Sequence, residues 1–330
     1  MVHRESLVIV TPALAEANNG NWQTAHRWAQ MLRPAYRVRL AAQWQQGDEG
    51  LLIALHARRS APSVAAWRAA HPRRPLLLVL TGTDLYRDID TDAAAQRSLA
   101  LADALVVLNG LGCAHLPAAQ QPKCQVVLQS CPARRPLPKT GRHLRVLMVG
   151  HLRDEKDPLT FMRAARRLAG RRDILFDHIG TPLDAALGAE AEALARELPT
   201  YRWLGGLDHA ATRRRIQAAH VLVHGSRMEG GAHAVIEAIR SGTPVLASRI
   251  DGNLGLLGEA AGPTFEVGDD ARLAALVEQL RDDPAMLARL AAAQARRSPL
   301  FAPEAEQARL RQIVQALLAG TTPKATHERT

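Results

Sequence analysis

A chain of 330 residues with a net charge of +10, 47% hydrophobic and 22% charged residues is too apolar for disorder and long enough for two separately cored domains. No apolar run reaches the roughly 20 residues that cross a bilayer, and the opening MVHRESLVIV enters a β-type run without an export signal's apolar stretch and cleavage site, so a cytoplasmic protein starting at this methionine is expected. Arginines lie singly, in pairs (Arg166, Arg167) or in triplets (Arg213, Arg214, Arg215), and aromatics make up only 4%, which argues against nucleic acid and leaves a small anionic substrate as the partner suited to the charge.

Short β-branched or leucine-rich runs alternate with Ala/Arg/Leu stretches of helical period, the pattern of βαβ units around a parallel sheet. Strands are predicted at Leu7–Val10, Val38–Ala41, Leu51–Leu55, Leu76–Leu80, Leu105–Leu108 and Gln125–Leu128. Cys113, Cys124 and Cys131 are an odd number without metal-ligand spacing and are expected to be reduced, mostly structural thiols. The stretch PARRPLPKTGR, Pro132–Arg142, can extend neither a helix nor a central strand because its three prolines lack donors, and is read as the domain linker. The pattern then restarts, with strands at Leu144–Val149, Ile174–Ile179, Tyr201–Leu204, Val221–His224 and Val245–Ala247, followed by helices at Ala271–Leu280, Pro284–Arg297 and Pro303–Leu318. The expected fold is α/β, two doubly wound Rossmann-like domains (1–135 and 142–300) facing a cleft, with 301–330 forming a helix and tail that pack back on the first domain. Ligands in such sheets bind beyond the carboxyl ends of the strands, so functional residues are sought there.

The segment SRMEGGAHAVIEAIRSGTPVLAS, Ser226–Ser248, follows the strand VLVHG and holds Glu229 and Glu237 eight positions apart. Gly230 and Gly231 let backbone approach a ligand, and a helix opening near Ala232 aims its unpaired N–H groups at an anion such as a diphosphate. Glu237, inside that helix, is placed to accept from the adjacent hydroxyls of a ribose, and Glu229 to meet sugar hydroxyls. In the first domain, NNGNWQTA (Asn18–Ala25) follows the first strand and opens a helix. Asn19, Gly20 and Asn21 are candidate acceptor contacts there, alongside Thr81, Gly82 and Asp84 of TGTDLYR after the fourth strand. His56 ends the third strand and is given a structural role.

The Ser226–Ser248 segment resembles the E-x7-E donor-binding region of retaining GT-B glycosyltransferases of family 4. That resemblance implies that Glu237 holds the nucleotide ribose and Glu229 lies by the donor sugar. VGHLRDEKDP, from Val149, is similar to the family's G-R-L-x-x-x-K-G turn, which puts Lys156 on the donor diphosphate. His151 stands where the family has arginine, so Arg153 is the candidate for the missing charge. WLGGLDH, from Trp203, is similar to the strand-to-glycine turn that places Gly205 near the nucleobase. The chain departs from the family at Gly231, where an aromatic is common, and at Thr81, where relatives often carry a histidine.

The pairing of NGNWQTA with LTGTDLYRDI resembles the selenosugar synthases of selenoneine biosynthesis, which couple a UDP-sugar, typically UDP-N-acetylglucosamine, to selenophosphate. The resemblance implies an acceptor-binding first domain, a nucleotide-sugar-binding second domain, and transfer assisted by Lys156, Glu229 and Arg153. It implies no metal or other cofactor. Arg58, Arg59 and Arg87, near the ends of first-domain strands, are candidate contacts for the anionic acceptor. The other readings are a GT-B enzyme with an ordinary sugar, lipid or small-molecule acceptor, and a non-catalytic nucleotide-sugar or nucleic-acid binder.

Overall fold

The computed structural model describes residues 4–12 and 20–321. The chain forms two compact units, Met1–Gln129 with Pro303–Thr330, and Ser130–Ala302.

In the first unit, β1 (Ser6–Val10), β2 (Arg37–Ala41), β3 (Leu51–Leu55), β4 (Leu76–Leu80), β5 (Ala104–Val107) and β6 (Cys124–Val126) make one parallel sheet in the order β2-β1-β3-β4-β5-β6. β3 (LLIAL) and β4 (LLLVL) are buried throughout, as the inner strands of a sheet covered on both faces must be. The two-residue alternation of side chains sorts Leu7, Ile9 and Ile53 to one face and Val8, Val10 and Leu52 to the other. The first face is covered by α1 (Gly20–Leu32) and by the C-terminal helix Pro303–Leu318, through Trp28, Leu310, Ile313 and Val314. The second carries α2 (Ala61–Ala70) and α3 (Ala93–Leu101), through Val64, Trp67 and Leu99.

One polar contact locks the C-terminal helix to α1. The buried Glu306 carboxylate accepts from Trp28 Nε1 at 2.7 Å and from Arg27 Nε and Nη2 at 2.9 and 3.1 Å.

The expectation for the cysteines is corrected in part. Cys113 and Cys124 form a disulfide, with Cα atoms 5.9 Å apart, well placed for a bridge. The connection from β5 to β6 doubles back through a 3₁₀ turn, Gly112–His115, and returns Cys113 to the start of β6, a closeness that sequence spacing does not display. Cys131 is a free, buried thiol, its pKa pushed up to about 11 by that burial.

The second unit repeats the plan with β7 (Leu144–Val149), β8 (Ile174–Ile179), β9 (Tyr201–Trp203), β10 (Val221–His224) and β11 (Val245–Ala247), parallel in the order β11-β10-β7-β8-β9. Its helices are α4 (Pro158–Arg167), α5 (Ala185–Glu197), α6 (His209–Ala218), α7 (His233–Ile239), α8 (Asp251–Leu257), α9 (Asp270–Asp282) and α10 (Pro284–Ala295). Aspartates start several of them: Asp184, Asp208, Asp269 and Asp283 each accept a first-turn amide at α5, α6, α9 and α10, satisfying donors that the helix leaves open. The sheet runs out in opposite directions from the neighbouring pair β7 and β10, the kind of switch point beyond which ligands bind in open α/β sheets.

Pro132–Arg142, read from sequence as a linker, contains no helix or strand and is fastened to the second unit. Arg134 N donates to Arg240 O at 2.9 Å, Arg213 Nη2 to Pro132 O at 3.0 Å and Gln217 Nε2 to Arg135 O at 2.6 Å. Among the described residues no helix is long and apolar enough to cross a membrane.

Replacing Glu306 by Ala leaves the Trp28 N–H and the Arg27 charge without their carboxylate, and we expect a loss of roughly 3 kcal/mol, the scale for breaking a buried ion pair. Urea unfolding measures it. Glu306→Gln, which keeps an acceptor for Trp28, is expected to lose less, and equal losses in the two variants would assign the effect to packing instead.

Candidate active site

The loops after β7 and β10 meet at the switch point. After β7, residues Asp154–Lys156 make a 3₁₀ turn, and Asp157 follows in the left-handed region at φ 47°. That conformation costs a non-glycine residue energy. The buried Asp157 side chain holds it, accepting from Thr160 Oγ1 at 2.6 Å and from Arg227 Nη2 at 3.1 Å. The turn lays the Lys156 stem over Gly150 and brings its ammonium onto Glu229 Oε1. Close packing of strand ends fixes this loop: a Cβ on Gly180, at the end of β8, would lie 1.9 Å from Gly150 O.

Glu229 stands in the loop after β10, also against backbone. A Cβ on Gly252 of α8 would meet Glu229 O at 2.0 Å, so glycine is required for α8 to come this close. Ser248 Oγ donates to Ser226 O at 2.6 Å, and Asn253 Nδ2 to Ser248 O at 3.1 Å, tying the same loop to the end of β11. Burial alone would raise the Glu229 pKa, but the Lys156 ammonium, helped by the Ser226 hydroxyl, outweighs it and holds the carboxyl below its usual value.

Glu237 lies inside α7, 4% exposed. Its Oε1 takes His209 Nε2 at 2.6 Å, His233 Nδ1 at 3.4 Å and Arg213 Nη1 at 3.7 Å. Against the upward push of burial, these partners bring its pKa down to about 2. The carboxylate is therefore ionised at any physiological pH, held by groups from α6 and its own helix.

The structure brings Lys156, Arg153 and His151 into one loop with Glu229 against it. Arg153 is half-exposed, its Nε 3.8 Å from Glu155 Oε2. His151 Nδ1 accepts from Thr181 N at 3.3 Å, and its pKa is lowered by burial and then by Arg153 and Lys156, so this ring does not supply the cation of the arginine it replaces. Gly205, at φ 66°, follows β9 and its carbonyl accepts from Gly180 N at 2.8 Å. Gly230 and Gly231 form the turn into Ala232, which caps α7.

In the first unit, Asn19 lies outside the described residues. Gly20 and Asn21 open α1, and Gly20 O accepts from Thr24 Oγ1 at 2.8 Å. Thr81, Gly82 and Asp84 come together tightly: the buried Asp84 carboxylate accepts from the Thr81, Gly82 and Ala57 amides, each at 2.9 Å. It thereby ties the loops after β3 and β4 to each other. His56, at φ 73°, joins them through Nε2 to Thr83 Oγ1 at 3.2 Å. Beside them Arg58 and Arg87 converge on Asp88, at 2.9 and 3.3 Å. Among the described residues no group of three or more His, Cys, Asp or Glu is arranged to hold a metal.

Four site residues escaped the sequence reading: His209, Arg213, His224 and His233. His233 was findable, one helical turn before Glu237 on the same face. The others reach the site by packing of α6 and β10 against α7, which spacing does not reveal.

Residues 132–297, half of the chain, match the family described as glycosyl transferases group 1, and the chain belongs to that family. Glycogen synthase of Mycobacterium tuberculosis is 34% identical over 205 residues, covering 58% of this chain and 43% of the synthase, so the match spans less than half of that relative. Among solved structures, sucrose-phosphate synthase from Thermosynechococcus elongatus has a TM-score of 0.77 at 17% identity, over 96% of this chain and 100% of that one. Anabaena HepE in complex with UDP-glucose has a TM-score of 0.74 at 15% identity, over 95% and 100%. At these identities the likeness establishes the fold, which is GT-B.

The His209–Glu237 contact carries a pH signature. The hydrogen bond to Glu237 raises the His209 pKa, so its stabilisation is complete below the imidazole's unfolded-state pKa and is lost as pH rises through the folded-state value. Thermal unfolding of wild type and His209→Ala should differ most near about pH 6 and converge toward about pH 9. A gap that is constant or widens with pH would refute the pairing.

Proposed function

We propose that this chain is a glycosyltransferase that moves a sugar, N-acetylglucosamine, from its UDP donor to selenophosphate, forming a carbon–selenium bond. The observation carrying the donor half is the pair of buried, ionised carboxylates beyond β10, one paired with Lys156. Two adjacent ribose hydroxyls suit Glu237, whose charge is held by His209, His233 and Arg213. A diphosphate suits the Lys156 ammonium, with Arg153 on the same loop and the Gly230–Gly231 turn opposite. Glu229 then faces the sugar hydroxyls. The relative HepE, solved with UDP-glucose, supports a nucleotide-sugar donor.

The acceptor half rests on the resemblance of NGNWQTA and LTGTDLYRDI to selenosugar synthases, and on the cationic character of the neighbouring loops. The Arg58 and Arg87 guanidiniums, both lying against Asp88, are the groups of this part of the first unit suited to a compact anion. Selenium is nucleophilic without a general base, so the fully committed Asp84 need not supply one.

In the reaction, the bond from the anomeric carbon to the donor's β-phosphate oxygen breaks and the bond to selenium forms. UDP departs with the electron pair. Lys156 and Arg153 stabilise the charge that grows on the leaving diphosphate, an effect worth about 10²–10³ in rate for a well-placed donor. Glu229 orients the sugar, and the family resemblance implies retention at the anomeric carbon. Because side-chain cations take this part, the reaction is proposed to need no metal.

The test is incubation with UDP-N-acetylglucosamine and selenophosphate, with and without EDTA, followed by mass spectrometry and NMR of the anomeric centre. A selenosugar formed at the same rate in EDTA is expected. Glycosylation of an alcohol with no selenium product would replace the acceptor, and steeply salt-dependent nucleic-acid binding without UDP-sugar affinity would remove the enzyme reading.

Glu237→Ala removes the ribose acceptor and should weaken UDP-sugar binding about tenfold to a hundredfold, measured by calorimetry. Unchanged affinity would displace the ribose from this carboxylate.

A further inference from the structure

The last residue of β10, His224, faces the ion pair without taking part in its hydrogen bonding. It is 3% exposed, its Nε2 lies 3.3 Å from Glu229 Oε1, and that nitrogen has no hydrogen-bond partner among the described residues. Buried ring nitrogens are normally partnered, so an orphan at the floor of a binding site calls for an explanation. Two charged groups face the ring: Glu229 from the loop after β10 and Lys156 from the loop after β7.

On the nucleotide-sugar reading of this site, the surroundings of Glu229 change when the donor arrives. In the free protein Lys156 neutralises it. A diphosphate carries more negative charge than one carboxylate and is the stronger claimant on the ammonium. Once Lys156 turns to it, Glu229 is left buried with its main counter-charge withdrawn, which either protonates the carboxyl or demands another donor. Beyond the Ser226 hydroxyl, the His224 ring is already within reach.

We propose that His224 is a positioning residue that takes over Glu229 as Lys156 transfers to the donor diphosphate, its Nε2–H closing onto Glu229 Oε1. The exchange keeps Glu229 ionised and fixed toward the sugar while freeing Lys156 for the leaving group. Burial and Lys156 favour the neutral form, and the His224 pKa is lowered to about 4, so the ring acts as a neutral donor and does not compete with Lys156 for the diphosphate. Its place on a strand end, rather than on a loop, holds the donor where the carboxylate will need it.

Calorimetry of UDP binding in buffers of different ionisation enthalpy tests this without reference to any acceptor, because it counts protons taken up on binding. In His224→Leu, Glu229 loses Lys156 to UDP and keeps only the Ser226 hydroxyl, so it takes up more proton than in wild type. UDP affinity falls about tenfold. Proton uptake larger in His224→Leu than in wild type is expected, returning toward wild type in His224→Asn, whose amide can donate, and in the double variant with Glu229→Gln. Uptake in His224→Leu equal to or below wild type, with UDP bound, overturns the exchange. Failure of the wild type to bind UDP at all overturns the nucleotide-sugar reading itself, a distinct outcome.

Discussion

A carboxylate taken out of water must be matched by a positive or hydrogen-bonding partner, and the second unit is organised around two that are. Glu229 and Glu237 sit where β7 and β10 part company, one in a loop and one inside a helix. Desolvation pushes both toward the neutral acid, and in both the partners win. That outcome needs Lys156, His209, His233 and Arg213 within a few ångströms, and much of the local backbone serves to bring them there. The left-handed turn at Asp157 aims Lys156. The close approaches at Gly180 and Gly252 bring neighbouring elements against the Gly150 and Glu229 backbones.

The parallel sheets supply the rigidity this requires. Strand ends in a doubly covered sheet cannot shift without disturbing a close-packed interior, so loops that leave them inherit fixed starting points. In the first unit the same logic appears with one buried aspartate in place of an ion pair. Asp84 gathers three backbone amides from two loops and thereby sets the shape of the surface beyond β3 and β4. Its carboxylate is consumed in that task, which makes Asp84 a builder of the loop surface more than a group to spare for a ligand.

Much of this was legible in the sequence, for reasons that differ by element. Central strands such as LLIAL and LLLVL are buried on both faces and read as unbroken apolar runs, and their ends match the structure residue for residue. Edge strands blur: the strand expected to end at Leu128 stops at Val126, where neighbours on only one side make the boundary weak. Glu229 and Glu237 were visible because glycines and a strand entry surround them. The Cys113–Cys124 bridge was not, because it depends on how a connection folds back between two parallel strands. Nor were His209 and Arg213, whose meaning arises only where α6 lies against α7.

The histidines give this site a character that family resemblance alone would not suggest. His151 stands in the loop after β7 and His224 beneath the ion pair; desolvation and the neighbouring cations hold both rings toward the neutral form. His209 is driven the other way by Glu237. The permanent positive charge beside the proposed diphosphate is thus carried by Lys156 and Arg153, and the His151 and His224 rings add none. In the proposed reaction the diphosphate therefore meets little excess charge, and Lys156 has both a carboxylate and a leaving group to serve. Sharing one ammonium between two anions in succession is workable only if the abandoned carboxylate finds another donor, and the ring at the end of β10 is the group within 3.3 Å that can become one.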